Sequence, residues 1–244
     1  MGKTVYIGTS GWQYKHWRGT FYPDDIKVKD HFLYYQEHFN TVEINNSFYR
    51  LPAKETFEKW YNNSPEGFVY VIKANRYITH LKKLNDPDES LEKFLDNIAL
   101  LKDKLGPVLY QLPPGLEIDI PRLENFLKHL PKDVRHVFEF RNQSWYNEDV
   151  YKLLSQYNCA FCIYELAGHI SPLSVTADFV YVRLHGPGAK YQGSYTDSTL
   201  KKWTEQCKSW IKDNKDVYVY FDNDEKGYAA FNALTLKKLM KKAL

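Results

Sequence analysis

Two charged side chains lie on one face of a predicted β-strand near the middle of the chain. In the segment His136-Val-Phe-Glu-Phe-Arg-Asn-Gln-Ser-Trp145, Glu139 and Arg141 alternate with Phe138 and Phe140. Successive strand residues point to opposite faces, so the two rings share one face and the two charges share the other. A solvated strand and a strand that lines a polar pocket would both show this pattern, and the remaining strands discriminate between the two.

Four further predicted strands carry polar residues on one face, and these residues come where the strand ends. On the segment 41–48, for example, Glu43 alternates with Val42 and Ile44. The polar residues at the carboxyl ends of these four strands are Glu43, Asn45, Lys73, Gln111, Arg183 and His185. A barrel interior built only for packing prefers Val, Ile and Leu, so five such strands favour a polar pocket at one end of the sheet.

The elements that must position these residues are eight predicted strands alternating with helices. The strands cover 4–11, 41–48, 68–74, 107–112, 137–141, 160–165, 179–185 and 217–222. The helices cover about 30–39, 54–62, 88–105, 121–130, 147–157, 197–212 and 226–242. Only the connection from 167 to 178, after the sixth strand, has a weak or missing helix.

This order predicts an α/β protein with a parallel eight-stranded (β/α)8 TIM-type barrel, formed as a single domain by residues 1–244. A doubly wound open sheet is the alternative, but the segment Gly8-Thr-Ser-Gly11 lacks the glycine spacing of a dinucleotide loop. In a barrel, Glu43 and Glu139 face the interior. The apolar residues of opposite parity should be buried against helices: Val42, Ile44, Phe138, Phe140, Val180 and Val182.

Composition excludes several classes of protein. Hydrophobic residues make up 43% of the chain, enough for a core, and the net charge is only +3. No apolar run approaches the ~18 residues of a membrane span, and the N-terminus enters a strand at once, so we expect a cytoplasmic protein without membrane contact. Cys159 and Cys162 form a C-x-x-C within a strand pattern, where they point to opposite faces, an arrangement unsuited to a redox or metal pair.

The last strand and the loop before it leave alternatives open. In Tyr220-Phe-Asp-Asn-Asp224, either Asn223 faces the pocket or Asp222 and Asp224 do. The loop 186–195 contains three glycines with Lys190, Tyr191 and Tyr195. This composition suits a mobile lid and a plain surface loop equally.

The polar residues at the predicted mouth suggest acid–base chemistry. Glu43 and Glu139 are the candidate general acid and base, as paired carboxylates are in glycoside hydrolysis, and His185 is either a base or a wall residue. The remaining candidates would bind substrate: Asn45, Lys73, Gln111, Arg141, Arg183, Asn223 and Asp224 by polar contacts, and Trp12, Trp145, Tyr191 and Tyr195 by stacking. The prediction is a metal-independent hydrolase-type enzyme, without a cofactor, for a small polar anionic or sugar-containing substrate.

Two other functions remain as alternatives. A metal-dependent phosphodiesterase or isomerase would use Glu43, Glu139, His185 and Asp224, with His80 as a further ligand, but no H-x-x-x-H spacing supports it. A nucleic-acid-binding barrel without turnover would use arginine and stacked aromatics, and the small net charge supports it weakly. The oligomeric state is not determined by the sequence.

Seven sequence blocks resemble those of a known family. The segments 7–12, 17–23, 41–52, 111–114, 139–145, 183–186 and 221–224 resemble the signature blocks of the YecE-like family, domain of unknown function 72, in order along nearly the whole chain. The resemblance implies a TIM-type barrel and no settled activity. In that family Asn is more frequent than Asp at position 222, which makes Asp222 a weaker candidate than Asn223 or Asp224.

Overall fold

The computed structural model describes residues 3–242, which contain nine strands and eight α-helices. The strands are β1 (Val5–Thr9), β2 (Thr41–Ile44), β3 (Val69–Lys73), β4 (Leu105–Gln111), β5 (His136–Glu139), β6 (Ala160–Leu166), β7 (His169–Ile170), β8 (Phe179–Leu184) and β9 (Asp216–Phe221). The helices are α1 (His31–His38), α2 (Asn46–Tyr49), α3 (Lys54–Asn63), α4 (Asp88–Ile98), α5 (Ile120–Lys128), α6 (Glu148–Gln156), α7 (Asp197–Lys212) and α8 (Tyr228–Lys241).

The strand order is that of a (β/α)8 barrel. Neighbouring strands follow the order β1-β9-β8-β6-β5-β4-β3-β2, with parallel register in the pairs β1–β9, β8–β9, β3–β4, β4–β5 and β5–β6. A parallel bridge pairs Ser10, directly after β1, with Glu43 of β2. The predicted TIM-type fold is therefore confirmed, and the active face of such folds is the carboxyl-terminal end of the strands.

The chain divides into two compact units. Within the described residues, the first unit comprises 3–43, 163–173 and 178–242, and the second comprises 44–162 and 174–177. Each unit is built from more than one stretch of chain. That the whole chain behaves as one domain stays a prediction.

The apolar faces predicted for the strands are buried. Relative exposure is 0% for Val42, Phe138, Phe140 and Val182, and 2% for Ile44 and Val180. The Phe138 ring lies 6.1 Å, centroid to centroid, from that of Phe126 in α5. Burial of such side chains contributes about 1.5–3 kcal/mol each to folding, so this face anchors the strands on which the polar residues sit.

Three predicted boundaries are wrong, for local reasons. The second strand ends at Ile44 because Asn45 adopts helical dihedrals (φ −101°, ψ −20°) and starts the short helix α2. The fourth helix ends at Ile98 and is followed by a 3-10 segment, Ala99–Lys104, in which Lys102 has non-helical dihedrals with a positive φ (φ 48°, ψ −124°). Gly106 lies inside β4 rather than at the end of a helix, and a Cβ there would collide with the Val69 side chain.

The connection after the sixth strand contains no helix, as predicted. Residues 167–178 form a tight turn and the two-residue strand β7, which pairs antiparallel with β6. A π-helix at Tyr77–Leu81 has no counterpart in the predicted elements. Cys159, Cys162 and Cys207 are buried free thiols. None of the helices between residues 3 and 242 has both the length and the apolar character that a bilayer span requires.

Candidate active site

The candidate site in the first unit lies where strands β2, β8 and β9 end. Glu43 is the third residue of β2, Arg183 is the fifth of β8, and Asp222 directly follows β9. Strand alternation brings Tyr181, Arg183 and His185 to the same face, as predicted. The polar side chains therefore converge at the carboxyl ends of three strands.

Glu43 and Arg183 form a bidentate ion pair inside the unit. The Arg183 Nε donates to Oε2 of Glu43 at 2.9 Å and Nη2 donates to Oε1 at 2.7 Å. The hydroxyls of Ser10 and Tyr181 each donate to the same carboxylate at 2.6 Å. Glu43 is 0% and Arg183 1% exposed. A carboxylate that accepts four hydrogen bonds this way holds Arg183 in place and is poorly suited to the predicted role of general base.

His185 continues this network to Asp222. The His185 Nδ1 lies 2.9 Å from Oδ2 of Asp222, and its Nε2 lies 3.3 Å from Nη1 of Arg183. Because a guanidinium can only donate, Nε2 is the acceptor and Nδ1 carries the proton that Asp222 accepts. The His185 ring is fully buried, whereas the Asp222 side chain is 19% exposed. Asp222 is thus the solvent-facing end of a series of hydrogen-bonded side chains that runs from Glu43 through Arg183 and His185.

Asp224 has different surroundings. Trp17 donates its indole N–H to Oδ1 at 2.6 Å, and Nε2 of His16 lies 2.8 Å from Oδ2. Burial raises the pKa of Asp224 to about 6, with the nearby Asp222 charge adding to the rise and Trp17 and His16 opposing it. The His16 side chain is 43% exposed. Asp224 can therefore exchange a proton near neutral pH and pass it toward solvent.

The alternative left open for the last strand is resolved by these contacts. Asp222 and Asp224 carry the polar contacts of the site, whereas Asn223 is fully buried and donates to the carbonyl of Gly193 and to Oδ1 of Asn232 in α8, both at 2.8 Å. Asn223 therefore ties the loop after β8 to α8. Its predicted role in substrate binding has no support from this position.

The loop 186–195 carries one exposed aromatic residue next to His185 and one buried aromatic residue. Tyr191 is 38% exposed, adopts a left-handed conformation (φ 63°), and its ring lies 5.4 Å from that of His185. Tyr195 is buried, and its hydroxyl accepts the backbone N–H of Gly186 at 3.0 Å. Of the two predicted stacking residues, only Tyr191 is available to a ligand. Trp12, also in this unit, is half-buried and lies 5.1 Å from the Phe32 ring.

The other predicted site residues belong to the second unit. Lys73 donates to Oε1 of Gln111 at 2.6 Å and lies 4.5 Å from the centre of the Phe48 ring. Glu139 forms an ion pair with Arg141, and both side chains are buried. These contacts join β3 to β4, and join Glu139 at the end of β5 to a residue just after that strand.

Three further second-unit candidates, Asn45, His80 and Trp145, lie in structural positions. Asn45 precedes the first residue of α2. The His80 ring packs edge-on against that of Phe48 at 4.9 Å. Trp145 is fully buried, stacks on Phe140 at 4.7 Å and donates its indole N–H to the Leu116 carbonyl at 2.7 Å. Trp145 therefore packs with the apolar face of β5, so its predicted role in substrate stacking is wrong.

Sequence reasoning did not find three contributors to the first-unit cluster, namely Ser10, His16 and Trp17, and it ranked Asp222 below Asn223 and Asp224. Tyr181 was assigned to the face of Arg183 by its parity, but no role was predicted for it. His16 and Trp17 lie in a three-residue 3-10 helix, Lys15–Trp17, which is too short to show periodicity. No pattern therefore predicts their contact with Asp224, which is 207 positions from Trp17. In the part of the chain from 3 to 242, no three His, Cys, Asp or Glu side chains are grouped so that they could hold a metal ion.

The sequence and the fold of this chain are similar to those of known proteins. The sequence model of the family described as "Protein of unknown function DUF72" matches residues 6–244. UPF0759 protein YunF of Bacillus subtilis (strain 168) is 26% identical, over 97% of this chain and 94% of its own length. UPF0759 protein YecE of Escherichia coli (strain K12) is 27% identical over 58% of this chain and 50% of its own length. The crystal structure of a DUF72 family protein from Thermotoga maritima MSB8 superposes with a TM-score of 0.89 and 29% identity, covering 98% of this chain and 99% of that one.

Proposed function

The chain belongs to the DUF72 family of proteins of unknown function, and on that premise we propose that it is a hydrolase-type enzyme for a small polar, sugar-containing substrate, with Asp224 as the general acid. The observation that carries this proposal is the pair Asp222 and Asp224, two carboxyl groups with unlike surroundings at the end of β9. Hydrolysis with a general acid and a general base needs two groups that differ in this way.

The two carboxyl groups divide the proton transfers between them. Asp224, with a pKa of about 6, is protonated in a useful fraction of molecules near neutral pH and donates to the leaving oxygen. Asp222 accepts hydrogen bonds from His185 at 2.9 Å and from Arg183 at 3.5 Å, the arrangement of an ionised carboxylate. It takes the proton of the attacking water, so that one water is added across the bond that breaks.

Local charge favours a neutral, hydroxyl-rich substrate over an anion. Arg183 is the guanidinium of the cluster; it is paired with Glu43 and lies 3.5 Å from Asp222, whose charge in turn acts on Asp224. An anionic substrate would meet an excess of negative charge there. A sugar ring brings hydroxyls that can donate to carboxylates and an apolar face that can stack on the exposed ring of Tyr191.

The two cations predicted for the substrate site, Lys73 and Arg141, belong to the second unit. Lys73 donates to the neutral amide of Gln111, whereas Arg141 is paired with Glu139. The charges of the first-unit cluster therefore make the anionic version of the substrate prediction the less favoured one. Glu139 has a paired cation beside it, which is the environment of a structural carboxylate more than that of a general acid.

The test is a screen of 4-nitrophenyl glycosides with the wild-type protein and two variants. Asp224→Asn removes the proton donor while preserving shape, and we expect it to lower kcat on any hydrolysed glycoside about 100-fold or more. The matched control is Asp213→Asn, an exposed carboxylate after α7 in the same unit, which should leave kcat within about twofold.

Three outcomes would count against the proposal. Hydrolysis of 4-nitrophenyl phosphate with no glycoside cleaved would point to an anionic substrate. Turnover that requires added Mn²⁺ or Zn²⁺ would favour the metal-dependent phosphodiesterase or isomerase. Salt-sensitive binding of a short single-stranded oligonucleotide, without any turnover, would favour the nucleic-acid-binding alternative.

A further inference from the structure

A groove with an apolar floor lies on the second unit, away from the strand ends that carry the polar residues. Its volume is about 570 Å³. The floor is formed by α4, by the first residue of β4 and by the segment that follows α5. Its apolar lining residues include Leu91, Leu95, Ile98, Leu105, Leu130 and Val134. Leu95, Leu105 and Leu130 are only half-buried, so a ligand in the groove would cover apolar surface that water now contacts.

The edges of this groove are acidic. Asp88, Glu92 and Asp96 line it from α4, and their spacing of four residues places them on one helix face over about 12 Å. Asp133 lines it from the segment after α5. His129 also lines the groove, and its Nε2 lies 3.1 Å from Oδ1 of Asp88. Among the described residues, none of the chain's lysines or arginines contributes to the lining, although the chain as a whole has a net charge of +3. The groove therefore has a charge opposite to that of the molecule.

We propose that this groove is a docking surface for a basic amphipathic helix of a partner protein. A helix laid in a groove presents apolar residues at positions i, i+3 or i+4, and i+7. Lysines or arginines beside that seam would face the row formed by Asp88, Glu92 and Asp96. The length of the row matches two to three turns of such a helix.

Two other occupants fit the groove less well. A membrane surface carries anionic lipids, which the acidic row would repel. A second copy of the chain could offer the exposed Phe231 and Lys238 of α8. That contact would join two different surfaces head to tail, and such contacts form rings or open filaments rather than twofold dimers.

The experiment uses the full chain and a fluorescein-labelled amphipathic helical peptide of Leu and Lys, followed by fluorescence anisotropy. We expect saturable binding, and we expect the double charge reversal Glu92→Lys with Asp96→Lys to weaken it at least about tenfold. The matched control is Glu55→Lys with Glu58→Lys on α3, which makes the same change in net charge at exposed positions of the same unit. It should weaken binding less than about twofold.

A third variant tests the groove without changing charge. Ala99 lines the groove and is exposed, so Ala99→Trp would fill the groove from its edge with little effect on the core. We expect it to weaken peptide binding as much as the charge reversal does. Circular dichroism of each variant confirms that the fold is retained.

The proposal is overturned by any of three results. The first is that the peptide does not bind the wild-type protein. The second is an equal loss of affinity in both charge-reversed variants, which would show that only general charge attraction operates. The third is self-association, seen by sedimentation, that the Glu92→Lys/Asp96→Lys variant abolishes while the peptide does not bind, which would make a second copy the occupant.

Discussion

At the scale of single residues, the buried Glu43 and Arg183 depend on each other. Removing water from two charges is costly, and only their mutual attraction and additional hydrogen bonds offset that cost. Here Ser10 and Tyr181 supply the additional donors. The pair therefore explains why a carboxylate can stand at the centre of an apolar strand whose four residues are all buried.

Glu43→Gln should destabilise the protein strongly. The substitution leaves Arg183 without its bidentate partner, and breaking a buried pair from one side costs about 3 kcal/mol or more. Urea denaturation measures the free energy of unfolding. Glu37→Gln, at an exposed position of α1, is the control and should change it by less than about 0.5 kcal/mol. Equal stability of both variants would show that Glu43 is dispensable to the fold.

Asp224 should make stability depend on pH in the direction opposite to that of a salt-bridged carboxylate. Its pKa is raised to about 6 in the folded protein, so the folded state binds the proton more tightly than the unfolded chain does. This group therefore costs stability above pH 6, and the cost disappears as the pH falls through 6 toward the ordinary aspartate range.

Asp224→Asn removes this dependence because Asn cannot ionise. The variant should therefore gain stability relative to the wild type as the pH rises. The difference between their free energies of unfolding, variant minus wild type, should be about 2 kcal/mol larger at pH 8 than at pH 4.5. His16→Asn serves as a companion variant: losing His16, which lowers the pKa of Asp224, should move the transition to higher pH. If the difference in unfolding free energy between Asp224→Asn and the wild type is the same at both pH values, the pKa of Asp224 is not raised.

At the scale of elements, the loop after β8 is shaped by its backbone. Gly186 has a φ of +117°, and a Cβ there would collide with the backbone of Gln192. Tyr195 and Asn223 hold the two ends of the loop by hydrogen bonds to Gly186 and Gly193. The position of Tyr191 over His185 therefore depends on a conformation that only glycine adopts easily.

Gly186→Ala should disturb this loop, and Gly188→Ala should not. The first substitution creates both strain and a collision, and we expect it to lower the free energy of unfolding by more than about 1 kcal/mol. A Cβ at Gly188 meets nothing within 4 Å, so its effect should stay within about 0.5 kcal/mol. If the two variants unfold alike, the loop does not depend on the Gly186 backbone.

At the scale of the whole molecule, the two compact units are interleaved along the chain. The first unit cannot form until residues far apart in sequence meet, because residues 44–162 separate its first two segments. The second unit likewise takes residues 174–177 from within the first. Units connected in this way are poor candidates for independent folding.

We therefore expect a single unfolding transition. Two single-tryptophan variants would report on the units separately, one that retains Trp145 in the second unit and one that retains Trp210 in the first. Their fluorescence midpoints in urea should coincide within error. Separated midpoints would show two domains and would contradict the single-domain prediction.

The sequence by itself determined the architecture and the face on which polar residues gather. Strand alternation is a local property with a period of two, so Glu43, Arg183 and His185 could be assigned to one face without knowledge of the fold. Helix boundaries were predicted well where periodicity was strong, as in α7. The end of the second strand and the end of the helix that begins at Asp88 were predicted wrongly, because a single residue, Asn45 or Lys102, changes the backbone conformation there.

Only the tertiary structure decided which polar residues work together. Parity assigns a side chain to a face but not to a partner. It therefore could not show that Glu43 is ion-paired with Arg183, whereas Asp224 is a carboxyl group with a raised pKa. Trp145 looked like a stacking residue because the sequence does not specify where a loop directs a ring. The contact between Trp17 and Asp224 joins residues that are distant in sequence, and distances across a fold are set by packing, which local patterns do not encode.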